Sequence, residues 1–260
     1  KKKMNKNKNS GSKLANPVIE VRNLVAKYGE RTILDDISLD IYQGEVTVIL
    51  GSSGGGKTTF LKNIIRLNQP YSGSVKIFNE EVTQMDEETF ARILRRVGML
   101  FQNGALLNSI DIYENLCIPL EQHTHLPKDV VERMVRKKLD SVNLSHALYL
   151  LPSELSGGMK KRAALARAIA LDREILFFDE PSAGLDPITS AQLDELILDL
   201  KNLLKISIVV VTHELASIHR IADRIIFLHK GKLVFHGSLD NAKLCPHETV
   251  QEFFRVGRFE

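Results

Sequence analysis

Two glycine-containing stretches of the chain have the composition of phosphate-binding sites. Residues 51–59 read GSSGGGKTT after the apolar run VTVIL, and residues 155–168 read LSGGMKKRAALARA at the start of a helical pattern. Glycines let a loop curl with its N–H groups toward an anion, and a helix N-terminus favours negative charge. The sequence therefore predicts two phosphate sites, far apart in one chain.

The first stretch matches the P-loop pattern G-x-x-x-x-G-K-[ST], and it lies between a strand and a helix as that motif requires. Lys57 is expected to reach the β- and γ-phosphates, and the Thr58 hydroxyl to hold Mg²⁺. A ligand-free strand–helix turn is disfavoured, because the lysine, the threonine and both flanks agree with the motif. The predicted ATP-binding residues of this loop are Gly51, Ser52, Ser53, Gly54, Gly55, Gly56, Lys57, Thr58 and Thr59.

An acidic pair ends the apolar strand in ILFFDEPSAGLD, residues 175–186. Asp179 is expected at the carboxyl end of its strand beside the P-loop, where it can hold Mg²⁺. Glu180 follows directly and can orient an attacking water. The alternative, a pair that only caps the next helix, is disfavoured by the Glu-Pro step and by Gly184.

GSSGGGKTT, LSGGM and FFDEPSAGLD in this order, with His213 after the next strand, resemble the ATP-binding cassette (ABC) ATPases. The resemblance covers about residues 18–237. It implies that Tyr28 stacks on adenine, that Gln102 senses the γ-phosphate and Mg²⁺, and that His213 contacts the γ-phosphate. The implied catalytic residues are Glu180, His213, Lys57 and Gln102, and the implied Mg²⁺ ligands are Thr58, Gln102 and Asp179.

The same resemblance accounts for the second phosphate site. In ABC ATPases the Ser-Gly-Gly helix start binds the ATP that the other subunit's P-loop holds, which assigns this role to Ser156, Gly157 and Gly158. Asp186 matches the residue that faces the second subunit. Because the chain has one P-loop and one LSGGM, we expect a head-to-tail homodimer with two ATP sites.

A finer resemblance concerns the segment FQNGALLNSIDIYENLCIPLEQHTHLP and Met159 of LSGGM. Both are similar to the ATPases of Mla/MCE-type phospholipid transporters, although Leu107 stands where phenylalanine is usual. This implies an integral-membrane permease dimer and an MCE-domain substrate-binding protein as partners, at the cytoplasmic face of the bacterial inner membrane. An ABC importer of amino acids or another small solute is the alternative. A non-transport ABC ATPase is disfavoured by the absence of a second cassette, coiled coils or zinc-binding cysteines.

Charge argues against a nucleic-acid partner. Six of the 35 basic residues lie in the first 13 positions, which hold no acidic residue, so the rest of the chain carries 29 basic and 32 acidic residues. Residues 1–16 are predicted to be a disordered lysine-rich tail, without the apolar core of a signal peptide. No apolar run is long enough to cross a bilayer, and Cys117 and Cys245 lack metal or disulfide spacing.

Short apolar strands that alternate with helices after residue 45 predict an α/β fold with a mostly parallel sheet, the P-loop NTPase core of the ABC ATPase fold. Alternating residues before that point predict an N-terminal antiparallel β-subdomain, with an edge strand at about residues 18–24. A hairpin is expected to turn at Lys230 and Gly231. The predicted organisation is an ABC ATPase domain at 17–240, with a helical subdomain inserted at about 103–161, and a C-terminal helical extension at 241–260.

Overall fold

The fold was analysed in a computed structural model that describes residues 16–102 and 104–256. Nearly all of the predicted lysine-rich tail, the start of the predicted helical subdomain at Asn103 and the last four residues of the predicted extension lie outside these residues. Among the helices of the described residues, none combines the length and the apolar character that crossing a membrane requires.

A four-stranded antiparallel sheet forms the N-terminal part, in the order β2-β1-β4-β5. Its strands are β1 (Pro17–Tyr28), β2 (Arg31–Tyr42), β4 (Ser72–Ile77) and β5 (Glu80–Glu81). The predicted antiparallel subdomain is confirmed, but the prediction of an edge strand at residues 18–24 is wrong, because β1 pairs with β2 on one side and β4 on the other. Alternation reports one buried and one exposed face, and an inner strand of a half-covered sheet has both.

A six-stranded sheet carries the P-loop, in the order β10-β9-β3-β8-β7-β6. Its strands are β3 (Val46–Gly51), β6 (Val97–Leu100), β7 (Ile175–Asp179), β8 (Ser207–Val211), β9 (Arg224–His229) and β10 (Lys232–Ser238). All neighbours pair in parallel except β9 and β10, whose hairpin turns at Lys230 and Gly231 with φ of 48° and 77°. The predicted mostly parallel sheet and its hairpin are therefore confirmed.

Nine α-helices surround the sheets within the described residues. They are α1 (Lys57–Ile64), α2 (Glu87–Arg95), α3 (Ile112–His123), α4 (Lys128–Ser141), α5 (Gly157–Ala168), α6 (Pro187–Leu204), α7 (Leu215–Ile221), α8 (Leu239–Lys243) and α9 (Glu248–Val256). Val48 and Leu50 of β3 belong to one buried cluster and Ile49 to another, so the sheet separates two cores. Burial on both faces explains the continuous apolar strands.

Helices α3, α4 and α5 lie in the chain between β6 and β7, two strands that pair directly in the sheet. α3 begins with a capping box in which Asp111 and Glu114 each accept a hydrogen bond from the other's backbone N–H. α4 buries Val131, Val135 and Leu139 at helical spacing. α5 runs back toward the sheet, and its small residues allow a close approach to the core. This arrangement leaves the N-terminus of α5 on the surface.

Candidate active site

The P-loop joins the end of β3 to the start of α1. Gly51 adopts φ 150°, and a Cβ there would lie 1.9 Å from the carbonyl oxygen of Leu228, so only glycine fits. Lys57 Nζ donates to the carbonyl oxygens of Gly51 at 2.8 Å and Ser52 at 3.0 Å. Burial lowers the pKa of Lys57, against the opposing effects of Glu180 and Asp179. The lysine ammonium is thus held over its own loop, close to two carboxylates.

Asp179 and Glu180 lie at the carboxyl end of β7. Burial raises the pKa of Asp179 and the neighbouring Glu180 charge raises it further, while Lys62, Lys161 and Lys57 lower it. Glu180 has the unusual φ of 49°, and its backbone N–H donates to the carbonyl oxygen of Val211 in β8 at 2.8 Å. Parallel pairing of β7 with β8 thereby brings Glu180 to the loop that carries His213.

His213 and Glu180 form a close pair in this structure. His213 Nδ1 lies 2.8 Å from Glu180 Oε1, and the side chains are 70% and 16% exposed. Both line a cleft of about 850 Å³ together with Gly51, Ser53, Lys57 and Gly184. The P-loop, Glu180 and His213, which are separated in the sequence, therefore meet in one open cleft.

A smaller cleft lies on the other side of the P-loop. It has a volume of about 300 Å³ and is lined by Tyr28, Arg31, Ile33 and residues 54–59. Tyr28 is 53% exposed, and its hydroxyl accepts a hydrogen bond of 2.5 Å from Asn68 Nδ2. Since Lys57 lines both clefts, the predicted adenine-stacking residue and the predicted phosphate-binding residues occupy adjoining surfaces.

The second glycine-containing stretch lies apart from both clefts. Ser156 is the N-cap of α5, where its hydroxyl accepts a hydrogen bond from the Met159 N–H at 3.3 Å. Ser156 and Gly157 are exposed, and none of residues 156–158 is among those that line the two clefts. A single chain therefore does not bring its two predicted phosphate sites together.

Asp186 caps α6 rather than lining either cleft. Its carboxylate accepts hydrogen bonds from the N–H groups of Ile188 and Thr189, both at 3.0 Å, and from the Thr189 hydroxyl at 2.5 Å. These bonds, chiefly with Thr189, lower the pKa of Asp186. A Cβ on Gly158 would lie 2.6 Å from Thr189 Cγ2, so the start of α5 packs directly against the start of α6.

Gln102 is exposed at the end of β6, and its carbonyl oxygen accepts a hydrogen bond from Lys161 Nζ. Lys161, which no sequence motif assigned to the site, is buried and lowers the pKa of Asp179. Helical spacing offered a signal, because Lys161, Leu165 and Ala168 share a buried stripe of α5. Glu214 is a second side chain that the sequence reading missed, although it directly follows His213.

The predicted metal ligands Thr58, Gln102 and Asp179 all offer oxygen donors. The described residues contain no group of three or more His, Cys, Asp or Glu side chains that could hold a metal ion by themselves. Thr58, Gln102 and Asp179 offer a hydroxyl, an amide and a carboxylate oxygen. Mg²⁺ is bound in proteins by one or two carboxylates together with other oxygen atoms, including those of substrate phosphates. The donor set therefore fits Mg²⁺.

Comparison with known proteins gave concordant results. A family model described as ABC transporter matches residues 34–183. The chain is 40% identical over 238 residues to the intermembrane phospholipid transport system ATP-binding protein MlaF of Haemophilus influenzae, covering 92% of this chain and 90% of the relative. It is 37% identical over 240 residues to the probable ribonucleotide transport ATP-binding protein mkl of Mycobacterium leprae, covering 92% and 69%.

Solved structures share the fold. The cbiO1 protein of Clostridium perfringens, part of an ABC transporter complex, superposes with a TM-score of 0.82 at 24% identity, over 93% of this chain and 98% of that chain. The ATP-binding cassette MJ0796, solved as a dimer bound to ADP and Pi, superposes with a TM-score of 0.77 at 29% identity, over 85% and 98%. The first similarity bears on the fold alone.

Proposed function

Because this chain belongs to the ABC transporter family and is accordingly an ATP-binding ATPase, we propose that it powers a transporter that moves phospholipids between membranes. The observation that carries the choice of cargo is the 40% identity with the phospholipid transport protein of Haemophilus influenzae. That match spans 92% of this chain, far more than the nucleotide-binding motifs occupy. ABC cassettes dimerise and work with a membrane permease.

Nucleotide binding uses both clefts. The P-loop N–H groups and the N-terminus of α1 hold the phosphates. Lys57 exchanges the carbonyl oxygens of Gly51 and Ser52 for the β- and γ-phosphate oxygens, an exchange for which its ammonium is already in place. Tyr28 stacks on the adenine ring from the smaller cleft, on the far side of Lys57.

Hydrolysis depends on the pair at the end of β7 and β8. Glu180 orients a water molecule for in-line attack on the γ-phosphorus, and His213, held 2.8 Å from Glu180, donates to the γ-phosphate and stabilises its developing charge. Thr58, Gln102 and Asp179 would hold Mg²⁺, which when bound neutralises charge on the phosphates. The raised pKa of Asp179 means that its carboxylate is protonated more readily than an ordinary aspartate as the pH falls.

A second copy of the chain completes each site. Residues 156–158 lie outside the clefts of their own chain, while Ser156 and Gly157 are exposed at the N-terminus of α5. In a head-to-tail homodimer these residues close over the γ-phosphate that the partner's P-loop holds. Two bound ATP molecules then hold the two chains together. Each chain thus serves two nucleotides, which explains its two phosphate-binding stretches.

The proposed membrane partners are a permease dimer and an MCE-domain substrate-binding protein. The segment after Gln102 contacts the permease at the cytoplasmic face of the inner membrane. Leu107 in this segment is 50% exposed, although its backbone is held by Asn115, whose Oδ1 accepts from the Leu107 N–H at 2.9 Å. An exposed apolar side chain on a fixed backbone suits a docking surface.

Co-purification tests the cargo. The tagged chain, expressed in cells that produce its native partners, is solubilised in detergent from membranes, and the bound lipids and proteins are identified by mass spectrometry. We expect a permease, a protein with an MCE domain and phospholipid in stable proportion to the complex. The Glu180→Gln variant should retain the complex and bind ATP but lose hydrolysis.

Two results would contradict the proposed cargo, and a third would contradict the role of Glu180. A periplasmic binding protein for amino acids, in place of an MCE-domain protein, would favour the small-solute importer. A ribonucleotide other than the ATP or ADP of the cassettes, in stable proportion to the complex and without phospholipid, would favour the transport named for the mycobacterial relative. Hydrolysis near the wild-type rate in Glu180→Gln would remove the assignment of Glu180.

A further inference from the structure

Glu214 follows His213 and bonds to the segment that carries Glu180. Its Oε2 accepts a hydrogen bond of 2.8 Å from the Ser182 hydroxyl. Both of its carboxylate oxygens lie within reach of the Ser190 hydroxyl, at 3.3 Å and 3.2 Å. Ser182 is 4% exposed and Ser190 is 1% exposed. One carboxylate therefore accepts from two buried hydroxyl groups that are not its neighbours in the sequence.

The two serines lie on either side of Asp186. Ser182 lies two residues after Glu180, in a turn where the Ala183 N–H donates to the Glu180 carbonyl oxygen at 3.2 Å. Ser190 lies in the first turn of α6, and its N–H donates to the carbonyl oxygen of the N-cap residue Asp186 at 2.9 Å. The Glu214 carboxylate thus joins the His213 loop to both ends of the segment 180–190.

The His213 loop is anchored through its backbone as well as through the bond between His213 and Glu180. The His213 side chain is 70% exposed, and its ring hydrogen-bonds to Glu180. The Thr212 hydroxyl, itself buried, accepts from the Glu214 N–H at 3.2 Å. A catalytic group is effective only when it is held close to its productive position, and an exposed ring depends on its backbone for this. Glu214, the next residue, attaches the backbone of His213 to Ser182 and Ser190.

We propose that Glu214 is a positioning residue that holds His213 at Glu180 and makes their separation depend on the placement of residues 182–190. Glu214 and Ser182 line the same cleft as His213, but the Glu214 carboxylate already accepts from Ser182 and Ser190, so it acts through His213. Movement of Asp186 and the first turn of α6, such as a partner subunit would impose, is transmitted through Ser182 and Ser190 to the His213 loop. This inference rests on the proposed roles of Glu180 and His213.

Steady-state ATPase kinetics of the full-length protein test the proposal. In Glu214→Ala, and in the double variant Ser182→Ala/Ser190→Ala, we expect kcat to fall about 10- to 100-fold with KM within about three-fold of wild type, because the site binds ATP but misplaces His213. In Glu214→Gln the amide oxygen still accepts from a serine hydroxyl, so most of the activity should return. This rescue keeps the test informative if Glu214→Ala fails to fold.

Ser217→Ala is the matched control. The Ser217 hydroxyl donates to the buried Asp194 carboxylate at 2.5 Å, also between α6 and α7, but away from the His213 loop. This variant loses a comparable hydrogen bond in the same interface. Its thermal stability should fall by about as much as that of the single variant Ser182→Ala, which also loses one hydroxyl group. Its kcat should stay within about two-fold of wild type. An equal loss of kcat in Ser217→Ala would overturn the proposal.

A double-mutant cycle separates positioning from general damage. If Glu214 acts through His213, then Glu214→Ala combined with His213→Ala should be no slower than His213→Ala alone. Losses that multiply would overturn the proposal. An inactive His213→Ala beside a fully active Glu214→Ala would overturn this inference alone, whereas a fully active His213→Ala would remove the proposed role of His213 and the inference with it.

Discussion

Lys161 is a buried cation beside the two acidic residues of the site. Its Nζ donates to the Gln102 carbonyl oxygen, and it lies close enough to Asp179 and Glu180 for both to raise its pKa, although burial has the larger effect and lowers it. A buried charge without an opposite partner is costly. At the residue scale, Lys161 therefore offsets the repulsion between two adjacent carboxylates and ties α5 to the end of β6.

The Lys161→Met variant retains the apolar stem and removes the charge. Because Lys161 lowers the pKa of Asp179, its loss should raise that pKa further. The acidic limb of the pH–rate profile, where the Asp179 carboxylate becomes protonated, should therefore move to a higher pH than in wild type. We expect kcat/KM at pH 7 to fall about 5- to 50-fold. A pH–rate profile measures both effects. Lys137→Met, at an exposed position of α4, is the control and should leave the profile unchanged.

The adjacent glycines of α5 should respond differently to alanine. A Cβ on Gly158 would lie 2.6 Å from Thr189 Cγ2, whereas one on Gly157 would meet Leu185 Cδ2 at an ordinary 3.5 Å. Gly158→Ala should lower the free energy of unfolding by about 1–2 kcal/mol through overpacking. Gly157→Ala should raise it by about 0.5 kcal/mol through helix propensity. Urea unfolding of both variants tests this contrast, and equal midpoints would contradict it.

At the scale of the element, Asp186 caps the N-terminus of α6. The cap fixes the start of this helix beside the start of α5. The same residue faces the second subunit in the proposed dimer. Asp86 caps α2 in the same way, accepting from the Thr89 N–H at 2.8 Å, and its pKa is likewise lowered by bonds with Thr89. The two helices therefore offer a pair of equivalent caps, one at the proposed dimer surface and one away from it.

Asp186→Ala and Asp86→Ala should both destabilise the protein at pH 7. Each carboxyl has a folded-state pKa below its ordinary value of 3.8, so its contribution is present above that value and is lost as the pH falls through the folded pKa. The denaturant midpoint of each variant should differ more from the wild-type midpoint at pH 7 than below pH 4. Only Asp186→Ala should reduce ATP hydrolysis, and a comparable loss in Asp86→Ala would contradict the role of Asp186 at the site.

At the scale of the whole molecule, the composite site predicts complementation between inactive variants. Ser156→Arg damages the surface that a chain offers to its partner's nucleotide, and Lys57→Ala damages the chain's own P-loop. A mixed dimer contains one site with an intact P-loop from one chain and intact residues 156–158 from the other. A randomly mixed population should therefore recover about a quarter of wild-type ATPase activity, because half of the dimers hold one intact site of two.

The control for this experiment uses two changes on the same side of the site. Lys57 and Glu180 line the same cleft of one chain, so mixing Lys57→Ala with Glu180→Gln leaves each site with one defect. This mixture should remain inactive. Recovery in the control mixture, or none when Ser156→Arg is mixed with Lys57→Ala, would contradict the head-to-tail dimer.

The sequence by itself determined the parts of this protein whose chemistry is local. The P-loop, the acidic pair and the start of α5 are each a strand end or a helix start, so neighbouring residues along the chain set their geometry. The alternation of apolar strands with helices likewise predicted the parallel sheet. His213 was assigned through the resemblance to ABC ATPases, and the structure supplies the physical reason, because β8, which precedes His213, pairs with β7, which ends in Asp179.

Tertiary structure alone decided which distant groups meet. The inner position of β1 depends on pairing with β4, which its own alternation does not specify. Glu214 accepts hydrogen bonds from Ser182 and Ser190 because the N-termini of α6 and α7 are packed together. No local sequence pattern encodes the packing of these two helices. Local geometry follows from covalent spacing and backbone preference, whereas the position of Lys161 and Glu214 follows from how the cores close around the sheet.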